Sequence, residues 1–533
     1  MRQNMHMQKI LFTAGVACLF MATGCNTDLL NTAPTDRYVE STYWTTPEAA
    51  RAGLTGCYSI LRNTGIYGGK GSNNATALWE ETASPNAYNY SNSMSYNAIA
   101  SGLQQSASGG VISARWADCY GGIGRCNTFL AKVDEVTSLP AAEKDRMKGE
   151  AYFLRSLYYF LLQNYYGGVP VILDPPNKET QSDIPRAPRA DVVAQIFRDL
   201  DSAELKLPYK YTAAGDKGRA TRGAAMALRT KLLLYEASPL FAGTNNTQKW
   251  KDAADAAKNL MDLSGQTGYG LFEDYRQLFM PANENNKEVI FDVQYVFPNQ
   301  GSSFDLICRQ YGTNQPLLGL AEAYLMDDGL PAAQSPRYDP ANPYLNRDPR
   351  LYGTMTFPGD MYMGEVVTNT RFAITGFGMK KFSIYDREAP PADKASLVNG
   401  QSETNFIVLR YADVLLMFAE AQNEFGGPNA DVYDALDTLR GRVGMPRIAR
   451  NKTQEQLRSI IRHERRIELA GEGQYYNDIR RWKTAETELN GDVFKYNGDR
   501  LETRKFNAAR DYWWPIPLGE RDLNPALEQN DFY

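Results

Sequence analysis

An uncharged stretch rich in asparagine and tyrosine is the first segment of this chain whose residue types could bind a ligand. The 33 residues 82–114 contain no charged side chain. Tyrosine rings can stack on a neutral ring and amides can bond hydroxyl groups without desolvating a charge. The composition predicts contact with a neutral, hydroxyl-rich ligand through Asn86, Tyr88, Tyr90 and Tyr96. A solvated loop and a contact with another protein are the alternatives.

Familiar catalytic and metal-binding patterns are scarce. The chain has two histidines, His6 and His463. Multi-histidine zinc sites are therefore excluded, and a serine-histidine-aspartate triad would depend on His463 alone. Walker A, GxGxxG, GxSxG and HExxH motifs are not found. These patterns supply no candidate catalytic residue, metal ligand or cofactor site.

The overall charge speaks against nucleic acid as a partner. The net charge is −5 and the isoelectric point is near 5.5. No long run of lysine or arginine supplies the basic footprint of a nucleic-acid-binding surface.

A further group of charged residues could be read as an acid/base cluster, but paired charges that brace helix ends are the better interpretation. Its members are Arg155, Arg410, Glu464, Arg465, Glu468, Asp478, Arg480 and Arg481.

The amino terminus predicts export and lipid attachment. Arg2 and Lys9 precede an apolar stretch, 10–21, that is too short to span a bilayer as a helix, and Gly24 precedes Cys25. This pattern resembles a bacterial lipobox, so residues 1–24 would be the signal peptide and Cys25 the acylated residue, with palmitate among the chains that hold it in the membrane. An ordinary signal peptide is the alternative. We expect the remaining cysteines to be buried free thiols; they are Cys57, Cys119, Cys126 and Cys308.

Helical periodicity dominates the rest of the chain. Apolar residues recur at i, i+3, i+4 and i+7 in segments that follow one another as pairs. The predicted pairs are 47–62 with 113–133, 145–165 with 189–207, 221–236 with 250–263, and 410–425 with 431–443. This spacing predicts a mainly α fold of four tetratricopeptide-like helix pairs. The helical periodicity is interrupted at residues 272–405, which contain a predicted strand at 289–295 and much glycine and proline. We interpret this segment as a loop-rich, short-stranded subdomain.

Several short motifs occur in a characteristic order. They are DLLNTAP at 28–34, GEAYFLR at 149–155, YYGGVP at 165–170, GRAT at 218–221, LRYADVLL at 409–416, ERRIEL at 464–469, DIRRW at 478–482, WPIP at 514–517 and QN at 529–530. Together they resemble the SusD/RagB family of outer-membrane nutrient-binding lipoproteins. The sequence departs from the family pattern at Tyr475-Tyr476 and in its last three residues, 531–533.

The resemblance implies a function. The protein would be a lipid-anchored, surface-exposed outer-membrane protein that captures oligosaccharides and delivers them to a SusC-like TonB-dependent transporter. It implies further ligand contacts after the strand, from Tyr295, Phe297, Arg309 and Tyr311, although each could equally belong to the core. Binding of a peptide or another nutrient is the alternative, and a carbohydrate-active enzyme with two flanking carboxylates is a third. The expected regions are 25–230 and 231–533.

Overall fold

The computed structural model describes residues 43–68, 75–243, 247–298 and 300–533. Helices account for most of the regular structure in these ranges, which confirms the predicted mainly α class. The longer helices are α1 (Pro47–Ser59), α2 (Gly110–Lys132), α3 (Ala141–Tyr166), α4 (Arg189–Lys206), α5 (Arg222–Ala237), α6 (Thr247–Asp262), α7 (Tyr411–Gly426), α8 (Ala430–Arg442), α9 (Gln454–Glu468) and α10 (Tyr475–Arg481).

The four predicted helix pairs are all present. Helix α1 packs on α2, α3 on α4, α5 on α6, and α7 on α8. Successive pairs also touch, because α2 packs on α3, α4 on α5 and α6 on α7. Gly122 permits one close approach, since a Cβ there would lie 2.4 Å from the ring of Tyr158. The helices therefore form a continuous array that serves as a rigid base.

Local capping sets where these helices begin. The hydroxyl of Thr46 accepts a hydrogen bond from the amide of Ala49, and Pro47 occupies the first helical position of α1. Thr221 caps α5 in the same way, which gives the GRAT motif a structural role. Thr453 and Gln456 form a reciprocal capping box at the start of α9. These side chains satisfy amide donors that the first turn leaves unpaired.

The strands are short and paired two by two. They are β1 (Ala87–Tyr88), β2 (Val289–Val293), β3 (Gln315–Pro316), β4 (Met355–Thr356), β5 (Met361–Tyr362), β6 (Glu365–Val366), β7 (Gly378–Met379), β8 (Phe406–Arg410), β9 (Gly491–Phe494) and β10 (Arg500–Arg504). The antiparallel pairs are β1–β3, β2–β8, β4–β7, β5–β6 and β9–β10. Residues 272–405 are loop-rich, as predicted, but β2 ends before the expected Tyr295.

The charged cluster braces the core, as expected. Arg155 makes a two-pronged ion pair with Asp199 between α3 and α4. Arg465 contacts Asp413 and Asp478, so that α7, α9 and α10 are tied together. Burial alone would raise the pKa of Glu468, but the guanidinium groups of Arg442, Arg410 and Arg350 hold that pKa well below its usual range.

The cysteines behave as predicted within the described residues. Cys57, Cys119, Cys126 and Cys308 are free and buried. Burial raises the pKa of the Cys119 and Cys126 thiols, and it raises that of Cys308 to about 12. Across the described ranges, no helix combines the length and the apolar character needed to cross a membrane. The predicted signal peptide and Cys25 lie outside those ranges.

Candidate ligand-binding surface

The uncharged stretch forms a loop that its own asparagines hold in shape. The Asn89 side-chain oxygen accepts hydrogen bonds from the Ser91 amide at 3.2 Å, the Ser91 hydroxyl at 3.0 Å and the Ser93 amide at 3.3 Å. The Asn92 side-chain oxygen accepts one from the Ala98 amide at 3.1 Å. Such side-chain to backbone bonds fix turns without a sheet or a long helix.

This loop also contains strained backbone. Asn92, Met94 and Ser95 all have φ angles in the left-handed region, between 50° and 64°. The loop lies directly against the start of α2, because a Cβ on Gly110 would come within 2.4 Å of the Ser95 hydroxyl. Left-handed conformations of ordinary residues cost about 1–3 kcal/mol each and persist only where the surroundings enforce them. The loop is thus held in one conformation.

A second feature follows β2 along the chain. Residues Ile307–Tyr311 form a single π-helical turn, which Gly312 closes with a φ of 53°. The amide of Gly312 donates to the carbonyl of Ile307 at 2.7 Å. The turn leaves Gln310 and Tyr311 exposed. Isolated π turns are frequent at functional sites, because they redirect side chains that an α-helix would bury.

The loop and the π turn meet on one surface. Strand β1 pairs with β3, which places Tyr88 opposite Gln315. The hydroxyl of Tyr90 donates to the backbone carbonyl of Tyr311 at 3.0 Å. Tyr90 is 43 % exposed and Tyr311 is 41 % exposed. We call these two residues the aromatic platform; it joins segments that are far apart in the sequence.

Three other candidate residues lie near the surface. Tyr88 is partly buried, and that burial raises the pKa of its hydroxyl. Phe297 is 45 % exposed, in the turn between the bridged residues Val296 and Gln300. The guanidinium of Arg309 donates to the Leu397 carbonyl at 3.1 Å. Of these three, Phe297 is the most exposed.

The structure contradicts three of the predicted ligand contacts, because the side chains concerned are buried: Asn86, Tyr96 and Tyr295. The Asn86 amide donates to Glu81 at 2.7 Å and its oxygen accepts from Arg466 at 2.8 Å. The hydroxyls of Tyr96 and Tyr295 also form hydrogen bonds inside the protein.

The Tyr96 hydroxyl donates to Glu80 at 2.9 Å, and that of Tyr295 donates to the Gly68 carbonyl. These side chains therefore stabilise the protein interior and do not face a ligand. Sequence reasoning also missed Gln310, which is exposed beside Tyr311. A π turn has no sequence signature that would have indicated it.

Comparison with known proteins identifies the family. A family model described as the SusD family matches residues 279–533, and one described as "Starch-binding associating with outer membrane" matches residues 59–234. The chain belongs to the SusD/RagB family. Between the two matched regions lie residues 235–278, so the predicted division of the chain at 230/231 stays a prediction.

Relatives within the SusD/RagB family resemble the whole chain. SusD-like protein P25 of Formosa agariphila is 24 % identical, and the match covers 97 % of both chains. A SusD-like protein of Bacteroides ovatus is 27 % identical over 95 % of this chain and 86 % of its own. A solved structure of a SusD-like carbohydrate-binding protein from Bacteroides fragilis is 28 % identical, with a TM-score of 0.80, over 91 % of this chain and all of the other.

The one described histidine of this SusD/RagB protein is part of the packing. A ring nitrogen of His463 lies 2.7 Å from the carbonyl of Ala323. Burial lowers the pKa of its imidazole. In the portion of the chain that the structure covers, no three histidine, cysteine, aspartate or glutamate residues are grouped so as to hold a metal ion.

Proposed function

We propose that this chain is a glycan-binding protein and that the aromatic platform is where an oligosaccharide first binds. The observation that carries the proposal is the hydrogen bond from the Tyr90 hydroxyl to the backbone carbonyl of Tyr311, which holds the Tyr90 side chain against a second exposed tyrosine. The description of the Bacteroides fragilis relative as a carbohydrate-binding protein supports the same ligand class.

The energetics require more than one ring. Covering one face of a sugar at ~25 cal/mol per Å² contributes only about 1 kcal/mol, so useful affinity needs several contacts. Gln310, Ser91 and Ser93 are polar neighbours in the sequence of the two platform residues and can bond sugar hydroxyls. Because the Asn89 bonds and the left-handed residues already fix the loop, binding loses little conformational entropy.

The uncharged surroundings favour a neutral ligand. No charged residue lies within the stretch 82–114, and Arg309 already donates to a backbone carbonyl. Affinity should therefore vary little with ionic strength, since no ion pair between protein and ligand is screened. A peptide or a uronic-acid polymer would instead bind with a steep salt dependence.

Replacing both platform rings tests the proposal. A glycan array selects an oligosaccharide, and calorimetry then compares the wild type with Tyr90→Ala combined with Tyr311→Ala. Loss of both stacking surfaces should weaken binding at least about tenfold, or about 1.4 kcal/mol. Tyr90→Phe separates the two contributions, because it keeps the ring but loses the bond to the Tyr311 carbonyl; its affinity should fall less than that of the double variant. Equal affinity in all three proteins would place the site elsewhere.

The last part of the proposal concerns where the protein is located and which protein it works with. We propose that acylated Cys25 anchors the protein at the cell surface and that it delivers the glycan to a SusC-like TonB-dependent transporter. A lipid anchor alone moves no polar ligand across a bilayer, so capture is useful only beside a channel. The description of the second family model as associating with the outer membrane supports this location. We assign the chain no catalytic step.

A further inference from the structure

A groove in the described surface shares no lining residue with the aromatic platform. Its volume is about 650 Å³. One wall comes from α2, a second from the segment 170–184, and a third from the short helix Leu518–Leu523 with the residues that follow it. The floor is apolar, and its main side chains are Trp116, Tyr120, Ile172, Ile184, Leu523 and Leu527. Leu523 stands at the rim with 77 % of its surface exposed.

Three of the polar side chains that line the groove already form hydrogen bonds within the protein. The Tyr120 hydroxyl donates to the Pro170 carbonyl at 2.8 Å. The Asn524 amide donates to the Ile184 carbonyl at 2.8 Å, and the Gln181 amide donates to the Pro175 carbonyl at 3.0 Å. Sugar hydroxyl groups would find few free partners here, because a hydrogen-bond donor spent on a buried carbonyl is costly to withdraw. The groove therefore favours an apolar occupant.

Six carboxylates belong to the segments that form two of the walls. Glu520 lines the groove, and five others lie within two residues of a lining residue in the sequence: Asp174, Glu179, Asp183, Asp522 and Glu528. Among the described residues, none of the six forms an ion pair with a lysine or an arginine. Lys178 is the only cationic side chain that lines the groove. Nearby Arg521 donates to the Leu527 carbonyl at 3.0 Å.

We propose that this groove binds a segment of a partner protein that carries aliphatic side chains flanked by lysine or arginine. Aliphatic groups would cover the floor, and the cations would meet the unpaired carboxylates. The same charge disfavours other occupants. Residues 26–42 of this chain contain three carboxylates and one arginine, a second copy would bring an identical acidic rim, and an anionic lipid surface would be repelled. The inference is independent of glycan binding.

A pair of synthetic peptides tests the inference on the full mature chain. One is a short peptide built from leucine and lysine, and the other has glutamate in place of every lysine. Fluorescence anisotropy of the labelled lysine peptide should show saturable binding that weakens with added salt, while the glutamate peptide should not bind. Leu523→Ser combined with Ile184→Ser, which removes apolar surface without adding charge, should lower the affinity for the lysine peptide by at least about tenfold.

Two further variants make the result specific. Leu205→Ser is the matched control: Leu205 is 81 % exposed on α4, outside the groove, so this change should leave peptide binding intact. Asp183→Asn combined with Asp522→Asn, both at exposed positions, should weaken binding and flatten its salt dependence. Equal losses in the Leu205 and Leu523 variants, or equal binding of both peptides, would overturn the proposal. Self-association or vesicle binding that needs Leu523, without peptide binding, would also overturn it.

Discussion

The guanidinium of Arg410 donates a hydrogen bond of 2.7 Å to Glu468, and both side chains are buried. Arg410 ends β8, where the loop-rich segment returns to the helix array, while Glu468 ends α9. Arg410 also reaches Glu288 at 2.8 Å and Glu472 at 2.7 Å. One cation thus joins three parts of the chain: the start of β2, the end of β8 and the end of α9.

Removal of this cation should destabilise the fold. Arg410→Met leaves Glu468, Glu472 and Glu288 with less compensation in a buried site, and breaking such a network costs about 3–5 kcal/mol. Urea denaturation measures the loss. Arg500→Met is the control, because Arg500 is 62 % exposed and its carboxylate partner lies 3.8 Å away. A cost for Arg410→Met as small as that of the control would contradict the role of the junction.

Acid should destabilise the fold by protonating a second buried carboxylate, Glu420. Burial would raise the pKa of Glu420, but the cations of Arg481 and Arg465 lower it from 4.5 to about 2. A folded-state pKa below the unfolded value means that the stabilisation is fully present above pH 4.5 and is lost as pH falls toward 2. In Glu420→Gln, stability should fall less steeply across this interval. If stability fell equally steeply with decreasing pH in the wild type and in Glu420→Gln, protonation of Glu420 would not be the cause.

The chain end should contribute to stability through one asparagine. The Asn530 amide donates to the Tyr166 carbonyl at 3.0 Å and the Trp514 carbonyl at 2.7 Å. Asn530→Ala leaves both acceptors without these donors, and we expect a loss of about 1–3 kcal/mol in thermal or urea unfolding. Phe532→Ala, at a residue 74 % exposed, should change little. The idea fails if the two variants unfold alike.

Membrane attachment should depend on a single thiol. Cys25→Ala removes the acceptor for acylation, so the variant should leave the outer membrane or keep its signal peptide uncut. Fractionation and palmitate labelling measure the effect. Cys18→Ala is the matched control, since Cys18 lies within the predicted signal peptide and should be dispensable. Continued labelling of the Cys25 variant would refute the lipobox interpretation.

The proposed partner is open to a direct test. Solubilisation in mild detergent should recover a SusC-like transporter together with this protein, because delivery requires the two to stay in contact. The platform variant Tyr90→Ala with Tyr311→Ala should still recover it, since that change addresses ligand binding. Recovery of this protein alone in several detergents would count against the partnership.

Sequence patterns predicted the helices well because each packed face repeats within a few residues. The α3 helix, for example, follows directly from the spacing of Phe153, Leu157 and Leu161. The site could not be predicted as fully. Asn86 and Asn89 lie in similar sequence surroundings. Asn86 nevertheless accepts a hydrogen bond from Arg466, 380 residues away, whereas Asn89 accepts one from the nearby Ser91 amide and shapes the loop. The meeting of Tyr90 and Tyr311 likewise spans 221 residues, which no local pattern encodes.

The buried cysteines make this protein suited to chemical labelling. Thiol reagents attack the exposed thiolate, and burial raises the pKa of Cys119, Cys126 and Cys308. In a chain that begins after Cys25, a cysteine introduced by Gln310→Cys would therefore be the preferred target of a maleimide dye. Such a fluorophore would sit beside the platform, and its emission would follow the arrival and departure of a ligand in real time.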